Sequence, residues 1–459
     1  MQAVENNEGF IKTGYLDLLK VALPISLGSF VQFIVVFVDN LFLSKVGINE
    51  LNGAGLSGMI YVTMLMLGVG LASGAQIIMA RRNGEKHFKE VGQVLINSLF
   101  LGLILAGVLF VLLKYVSPFF LDDWLRSPII DDNVNRFLGI RSWGMFVSII
   151  ALVLMSFYMA IAKTIVLVYA TVATALINVV LDYLLIFGHY GFPELGLEGA
   201  AYATVMAEVI GLSIIIAYMI FKRTDQKFDL KGALKIFNLS RTWKILYLSF
   251  PIMVQQVLAL ATWSVFFFLV EKLGDTELMV SNIIRNLYML AFVSVMGLAQ
   301  TTKTYVSTLI AEKRQAMLRP VINRLILLNL CGIVVLSHGL WLYPEYLAGL
   351  FTSNVDSVAK VATIIEQSKN TMFVIVPAMV IFAFSSIFLN TVEGSGRTWI
   401  AMLIELVSIM FYLGMTYYMT VMNPKPIHVV WMNDYGYFGI IGVLSFLFLQ
   451  FSNWKYHKV

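Results

Sequence analysis

Long apolar runs alternate with short polar segments along almost the whole chain. The runs are continuously apolar and do not alternate at every second position, which indicates α-helices and not the strands of a β-barrel. A helix needs about 20 mostly apolar residues to cross a bilayer. Twelve runs meet this requirement, and they lie at residues 17–44, 54–80, 93–120, 136–161, 164–188, 199–221, 246–270, 280–310, 321–350, 361–391, 398–421 and 435–453.

The composition supports a membrane protein. Hydrophobic residues make up 59% of the 459 residues and charged residues 13%, whereas soluble domains contain about 25% charged residues. A soluble enzyme, a disordered chain and a nucleic-acid-binding domain are therefore excluded, and the lipid bilayer is the expected partner. The net charge of +5 does not indicate nucleic acid, because the basic residues lie between apolar runs. The single cysteine, Cys331, allows neither an internal disulfide nor a CxxC metal site.

Lys and Arg residues are distributed unevenly between the two sets of loops. The set that includes both chain ends carries about three times as many as the other set, and basic loops favour the cytoplasmic side. Both termini are therefore expected in the cytoplasm. The protein is expected to be a multi-pass protein of the cytoplasmic (inner) membrane.

The chain contains an internal repeat, because a shift of 227 residues superimposes its start on its middle. Each half holds six predicted spans, so both halves enter the membrane in the same direction. We therefore predict an all-α integral membrane fold, with 12 transmembrane helices in two parallel-repeat six-helix bundles around a central cleft. The expected bundles are 1–234 and 235–459, joined by the basic linker 222–244. The shift pairs Pro24 with Pro251, Lys45 with Lys272, Tyr61 with Tyr288, and Gly70, Leu71 and Ala72 with Gly297, Leu298 and Ala299.

Four polar residues lie inside predicted spans of the N-terminal half, where ionisable groups are costly and indicate function. Asp39, Asp182 and Thr204 lie at similar depths in spans one, five and six. Asn178 precedes Asp182 by four residues, so these two share a helix face. Their oxygens suit a sodium ion, and adjacent carboxylates can also share a proton. We therefore predict that Asp39, Asn178, Asp182 and Thr204 bind a small cation and are its metal ligands if it is Na⁺.

A structural role for these residues stays open. The two aspartates could bond neighbouring helices, and the Thr204 hydroxyl could bond its own helix backbone. The C-terminal half does not repeat the chemistry, because the aligned positions there are Phe266, Tyr412 and Thr416. The N-terminal half is therefore expected to hold the cation.

Further polar residues are candidates for a cleft or substrate contact. An ion pair between Lys303 and Glu405 is geometrically permitted, since both lie at a similar depth from the cytoplasmic face. The Lys303 side chain could equally extend to the membrane surface. The full set of cleft candidates is Glu208, Gln255, Gln256, Arg285, Lys303 and Glu405.

Three stretches carry a resemblance to a known family: LPISLGSFVQFIVVFVDNLFLSKVG, LNGAGLSGMIYV with GLASGAQIIMARRNG, and INVVLDYLLIFGHYGFPELGLEGAAYAT. They resemble the multidrug and toxic compound extrusion (MATE) transporters over essentially all twelve spans. The resemblance implies two six-helix bundles and secondary active efflux of organic or amphiphilic compounds in exchange for H⁺ or Na⁺. It matches the family's acidic residue of span one to Asp39, and its other cation-site residues to Asn178, Asp182 and Thr204.

The chain departs from one branch of this family. That branch uses acidic residues in spans seven and ten for sodium, whereas span seven here offers Gln255 and Gln256 and the VPAMVIFAFSS segment of span ten has no acid. Arg285 and Lys303 add positive charge to the C-terminal half, which argues against a purely cationic substrate range.

Two alternative functions fit the sequence less well. A lipid-linked oligosaccharide flippase of the same superfamily would share the bundles and the cleft, but it would need a cleft rich in Arg and Lys. A membrane enzyme is not expected, because the chain lacks HExxH, GxSxG and phosphate-binding glycine motifs and its five His are scattered. We expect a monomer with no cofactor other than the coupling ion, and with small amphiphilic substrates and no nucleic acid as partners.

Overall fold

The computed structural model describes residues 10–124, 127–235, 238–352 and 357–457, and these residues contain helices and no strand. Two π-helical segments, Leu112–Val116 and Tyr418–Met422, extend the third and fifteenth helices. The helices are α1 (Tyr15–Val46), α2 (Ile48–Gly84), α3 (Phe88–Val111), α4 (Ser117–Trp124), α5 (Pro128–Ala160), α6 (Ile165–Phe187), α7 (Leu197–Phe221), α8 (Thr224–Lys227), α9 (Leu230–Ala233), α10 (Leu239–Glu271), α11 (Asp275–Ala311), α12 (Leu318–Leu342), α13 (Pro344–Gly349), α14 (Val358–Gly394), α15 (Thr398–Tyr417), α16 (Ile427–Trp431) and α17 (Asn433–Phe451).

The predicted membrane fold is confirmed. Within the described residues, 11 helical segments are long and apolar enough to cross a bilayer. Helix α11 bends by 48° between Asp275–Met289 and Phe292–Ala311, and it brings the number to 12 if its two parts are counted as one span. The protein is therefore an all-α, multi-pass membrane protein.

Several helices extend beyond the apolar runs that predict them. Helix α2 covers Ile48–Gly84, although its apolar run covers only 54–80, because a helix keeps its backbone hydrogen bonds as it leaves the hydrocarbon region. The ninth span was predicted to continue to residue 350, but it ends at Leu342. Pro344 then begins the short helix α13, since proline lacks the N–H that an uninterrupted helix needs and fits a first turn.

The internal repeat is visible in the helix bounds. Helices α2 and α11 each have 37 residues, and they begin at Ile48 and Asp275, the positions that the 227-residue shift superimposes.

The chain forms two compact units, and their limits fall inside two helices. We call Leu27–Val257 the N-terminal unit, and Met1–Ser26 with Leu258–Val459 the C-terminal unit. The N-terminal unit thus includes the first part of α10, and the C-terminal unit includes the first part of α1. The linker 222–244 lies within the N-terminal unit.

Equivalent glycines explain how these first segments pack. In the N-terminal unit, a Cβ added to Gly70 of α2 would lie 2.4 Å from the Cα of Met253 in α10. In the C-terminal unit, a Cβ added to Gly297 of α11 would lie 2.4 Å from the carbonyl oxygen of Ala22 in α1. Only glycine permits this approach of two helix backbones.

Inside the N-terminal unit, α2 packs on α5 and α6 packs on α7. One apolar cluster packs where α1 and α6 end. It includes Phe42 and Phe187, whose rings make an edge-to-face contact with their centres 5.7 Å apart. The predicted linker is anchored by Phe228, which is buried and contacts Phe157 at 5.1 Å. In the C-terminal unit, α11, α14 and α17 surround an aromatic core.

Candidate functional site

Asp39 and Asp182 come together in the N-terminal unit. Asp39 lies near the end of α1 and Asp182 near the end of α6, and their carboxyl groups are close enough for a hydrogen bond between them. Asp182 is fully buried. Two ionised carboxylates have no hydrogen to share, so this contact becomes a hydrogen bond only when a proton binds to one of them.

The polar atoms of this pair lack other partners. Both carboxylate oxygens of Asp182 and Oδ1 of Asp39 are buried without a hydrogen-bond partner in the described part of the chain. The same holds for both polar atoms of the Asn178 side chain, which is 1% exposed. Buried polar groups are normally satisfied, so a cluster of unsatisfied oxygens fits a site that accepts a cation.

The fourth predicted ligand, Thr204, donates its hydroxyl to the carbonyl of Ala200 at 2.8 Å. This is the local backbone bond that the sequence left open as the alternative. The structure therefore brings Asp39 and Asp182 together, with Asn178 one turn away on α6, and gives the Thr204 hydroxyl a bond within its own helix.

Arg141 of α5 was not predicted from the sequence as a site residue. It is buried, and its positive charge interacts electrostatically with Asp39. Its Nη2 lies 3.1 Å from Oε1 of Glu208 on α7, and its guanidinium lies 4.1 Å from the centre of the Tyr61 ring. Its Nη1 is buried without a hydrogen-bond partner. The signal was present, because a charged residue lies well inside the predicted span 136–161.

Glu208 connects Arg141 to two hydroxyls. Ser148 Oγ donates to Oε2 of Glu208 at 2.8 Å, and the Tyr61 hydroxyl is 3.0 Å from Ser148 Oγ. Gly144 leaves room for this network, because a Cβ there would lie 3.1 Å from the Tyr61 hydroxyl and 3.2 Å from Nη1 of Arg141. The site therefore contains an acid pair and a neighbouring buried cation that is shared with a third acid.

The equivalent positions in the C-terminal unit are satisfied. Asn433 donates its amide to the carbonyl of Tyr412 at 2.7 Å and to the hydroxyl of Thr416 at 2.9 Å. The Phe266 ring stacks on the Tyr412 ring at 5.7 Å. These positions thus form a packed, hydrogen-bonded interior without the unsatisfied oxygens of the N-terminal unit.

The other sequence candidates have local contacts. Nζ of Lys303 lies 2.7 Å from Oε2 of Glu393, and both side chains are 3% exposed. Lys303 thus forms an ion pair with Glu393. Glu393 was not a predicted candidate, because it lies just beyond the predicted span 361–391. Glu405 accepts a hydrogen bond from the Tyr437 hydroxyl, and the Arg285 guanidinium lies 4.9 Å from the centre of the Phe267 ring.

Gln255 and Gln256 lie in the segment of α10 that belongs to the N-terminal unit. Gln255 is buried, and its Oε1 has no hydrogen-bond partner in the described residues. A group of three or more His, Cys, Asp or Glu side chains able to hold a metal ion was not found in the described ranges.

Comparison with known proteins identifies the family. The MatE family profile matches the chain twice, at residues 24–184 and 251–418. These two matches begin at the two prolines that the internal repeat superimposes.

Individual relatives and a solved structure agree with this match. A probable multidrug resistance protein NorM of Thermotoga maritima is 28% identical over 396 residues, which cover 86% of this chain and 82% of that protein. A protein of the same name from Synechocystis sp. is 24% identical over 339 residues, covering 73% and 72% of the two chains. The fold is shared with an outward-facing multidrug resistance MATE family transporter of the MOP superfamily, with a TM-score of 0.87, 18% identity, and coverage of 97% and 98%. Because the family profile spans more than half of the sequence, the chain belongs to the MatE family and is a MATE family transporter.

Proposed function

We propose that this transporter is a secondary active exporter of organic or amphiphilic compounds, driven by the entry of H⁺ or Na⁺. The observation that carries the proposal is the cluster of unsatisfied buried atoms on Asp39, Asn178 and Asp182, set against the satisfied equivalents Tyr412 and Thr416. Unsatisfied buried acceptors are costly, so they are explained by a ligand that binds during the cycle. The relatives named as probable multidrug resistance proteins support export of varied compounds.

In the proposed cycle, both termini are cytoplasmic in the inner membrane, and the ends of α1 and α6 that carry Asp39 and Asp182 face outward. An external cation neutralises the acid pair and removes the repulsion between the two carboxylates. The resulting change in packing of α1, α6 and α7 favours release of the substrate. The cation then leaves on the cytoplasmic side after rearrangement of the two six-helix bundles, 1–234 and 235–459.

Arg141 gives this cycle a means of resetting. When the acid pair is empty, the positive charge of Arg141 faces Asp39 and compensates part of its negative charge. When a cation binds, the guanidinium is held by Glu208 alone. The bound cation and Arg141 thus compete for the Asp39 carboxylate. This competition gives the empty and the occupied state different energies, which coupling requires.

The proposed substrate contacts are Gln255 and Gln256, and the unsatisfied Oε1 of Gln255 supports this assignment. Four other cleft candidates have local partners, so we propose supporting roles for them: Glu208, Arg285, Lys303 and Glu405. The proposal requires no cofactor beyond the coupling ion and no enzymatic step, and it treats the transporter as a monomer.

The test uses purified protein in liposomes, with a pH gradient and a sodium gradient imposed separately on the export of a fluorescent amphiphile. We expect Asp39→Asn and Asp182→Asn to reduce gradient-driven export by about 5-fold to 150-fold, the range of ordinary coupling energies. Asp132→Asn is the matched control, because that side chain is 67% exposed and forms a surface ion pair with Arg136. Export by Asp39→Asn that equals the parent protein under both gradients contradicts the proposal.

A lipid-linked oligosaccharide flippase is less well supported. Binding a pyrophosphate requires free positive charge, whereas Lys303 is neutralised by Glu393 and Arg285 lies against the Phe267 ring. In the same liposomes, we expect no transfer of a fluorescent lipid-linked oligosaccharide between leaflets above that of empty vesicles. Transfer that Lys303→Met abolishes would favour the flippase.

A further inference from the structure

Asp434 is a buried acid of the C-terminal unit for which the proposed cycle has no role. It is the second residue of α17 and is 4% exposed. Four tyrosines of the described residues interact with it electrostatically, and tyrosine is uncharged at neutral pH: Tyr288 of α11, Tyr412 of α15, and Tyr435 and Tyr437 of α17. Of these, Tyr412 forms a hydrogen bond with its carboxyl group. The carboxyl group therefore lies among neutral donors and has no cationic partner among these contacts.

The Tyr288 hydroxyl provides a second, independent observation. The residue is fully buried, interacts electrostatically with Asp434, and has no hydrogen-bond partner for its hydroxyl in the described part of the chain. Its ring is fixed by stacking on Trp263 at 5.8 Å and by an edge contact with Phe292 at 4.7 Å. An unsatisfied buried hydroxyl destabilises the folded protein. This cost is offset if the hydroxyl serves a charge that is present during only part of the cycle.

The surroundings favour a proton over a larger cation. Aromatic rings pack closely in this core, with Phe382 and Phe438 at 4.5 Å and Phe266 and Trp431 at 4.9 Å. A metal cation needs several oxygen ligands in an arranged shell, whereas a proton needs only one carboxylate oxygen. The close packing of these rings therefore suits a proton.

Two opposing effects allow the carboxyl group to exist in both protonation states. Burial among aromatic rings favours the neutral acid, because an isolated buried charge is costly. The hydrogen bond from the Tyr412 hydroxyl favours the carboxylate, because a donor stabilises negative charge on the acceptor. We propose that Asp434, with the hydroxyls of Tyr412 and Tyr288, is a second proton-binding site, located in the C-terminal unit. This inference does not depend on which ion the Asp39–Asp182 pair uses.

The experiment is infrared difference spectroscopy of the full-length protein in lipid nanodiscs, between acidic and alkaline pH, which detects the carbonyl band of protonated carboxyl groups. The parent is the Asp39→Asn/Asp182→Asn double variant, so that the N-terminal pair contributes no band. We expect one buried carboxyl band to appear as the pH falls, and we expect Asp434→Asn to remove it. Gel filtration and circular dichroism verify that each variant is folded.

Tyr412→Phe provides a second variant that keeps the carboxyl group. Loss of a donor that stabilises the carboxylate should move the midpoint of the band to higher pH by about one unit, a tenfold change in proton affinity. Tyr418→Phe, an exposed tyrosine at the end of the same span, is the control and should leave the midpoint unchanged. A difference spectrum that Asp434→Asn does not alter, or a band of constant size at every pH, overturns the proposal. If Asp39→Asn and Asp182→Asn leave export unchanged, the proposed function is refuted. The proposed proton site at Asp434 is not affected by that result.

Discussion

The guanidinium of Arg141 is held by Glu208, with Nη2 of the arginine 3.1 Å from Oε1 of the glutamate. The pair joins α5 to α7 in the N-terminal unit, and its two residues are 67 positions apart in sequence. It places a positive charge opposite Asp39. The stability of the pair is therefore expected to be linked to the cation site, although neither residue needs to touch the cation.

Glu208→Gln should destabilise the folded protein by about 3 kcal/mol, because it leaves the buried charge of Arg141 without its carboxylate partner. It should also weaken cation binding at Asp39, since the freed guanidinium competes for that carboxylate. Thermal denaturation in detergent measures the first effect, and the half-saturating ion concentration for export measures the second.

The control for this variant is Glu198→Gln, which removes an exposed ion pair with Arg136 between the same two helices. Such surface pairs contribute about 0–1 kcal/mol. Equal losses of stability in Glu198→Gln and Glu208→Gln would contradict the assigned role of Arg141.

Asn178→Leu should raise stability by about 1 kcal/mol while abolishing coupling. Both polar atoms of the Asn178 side chain are buried without partners, so an apolar side chain of similar size removes their desolvation cost. The measurement is thermal denaturation in sodium-free buffer at neutral pH, followed by ion-driven export in liposomes.

Asn329→Leu is the matched control in the other unit. Its amide donates to the carbonyl of Ala383 at 3.0 Å and to Ser386 Oγ at 3.2 Å, so this change should destabilise the protein. If Asn178→Leu lowers the denaturation midpoint as much as Asn329→Leu does, Asn178 has a structural role.

The buried ion pair of Lys303 and Glu393 predicts strong coupling in a double-mutant cycle. Glu393→Leu alone should cost about 3–5 kcal/mol, because Lys303 is left charged and unpaired. The double variant Lys303→Met/Glu393→Leu should recover much of that loss, since an apolar pair of similar volume avoids the desolvation of two charges. Denaturation midpoints of the two single variants and the double variant test this, and simple additivity would disprove the coupling.

Gly70→Ala should destabilise the N-terminal unit by about 1–3 kcal/mol or more. The new Cβ would lie 2.4 Å from the backbone of Met253, which cannot move without shifting α10. Gly55→Ala in the same helix is the control, because a Cβ there meets nothing within 4 Å. A smaller loss of stability for Gly70→Ala than for Gly55→Ala would show that α2 and α10 separate readily.

The sequence alone determined the class of the protein and its spans. The bilayer fixes the length and the polarity of a crossing segment, so each span is encoded locally in about 20 consecutive residues. The repeat was equally readable, because Pro24 and Pro251 or Gly70 and Gly297 occupy the same register. The candidate acids Asp39 and Asp182 could be found for the same reason, since a carboxylate inside an apolar run is conspicuous.

The tertiary structure alone decided which buried polar groups meet. Arg141 reaches Glu208 and Lys303 reaches Glu393 because of helix rotation and packing, and the identities along one helix do not specify which residue of a distant helix it will face. Asp434 was missed because it lies one residue before its predicted span, where hydropathy cannot distinguish a loop acid from a buried one. Hydrophobic burial fixes where helices run, but it has no direction. Hydrogen bonds and ion pairs are directional and short, so their partners become known only when the helices have packed.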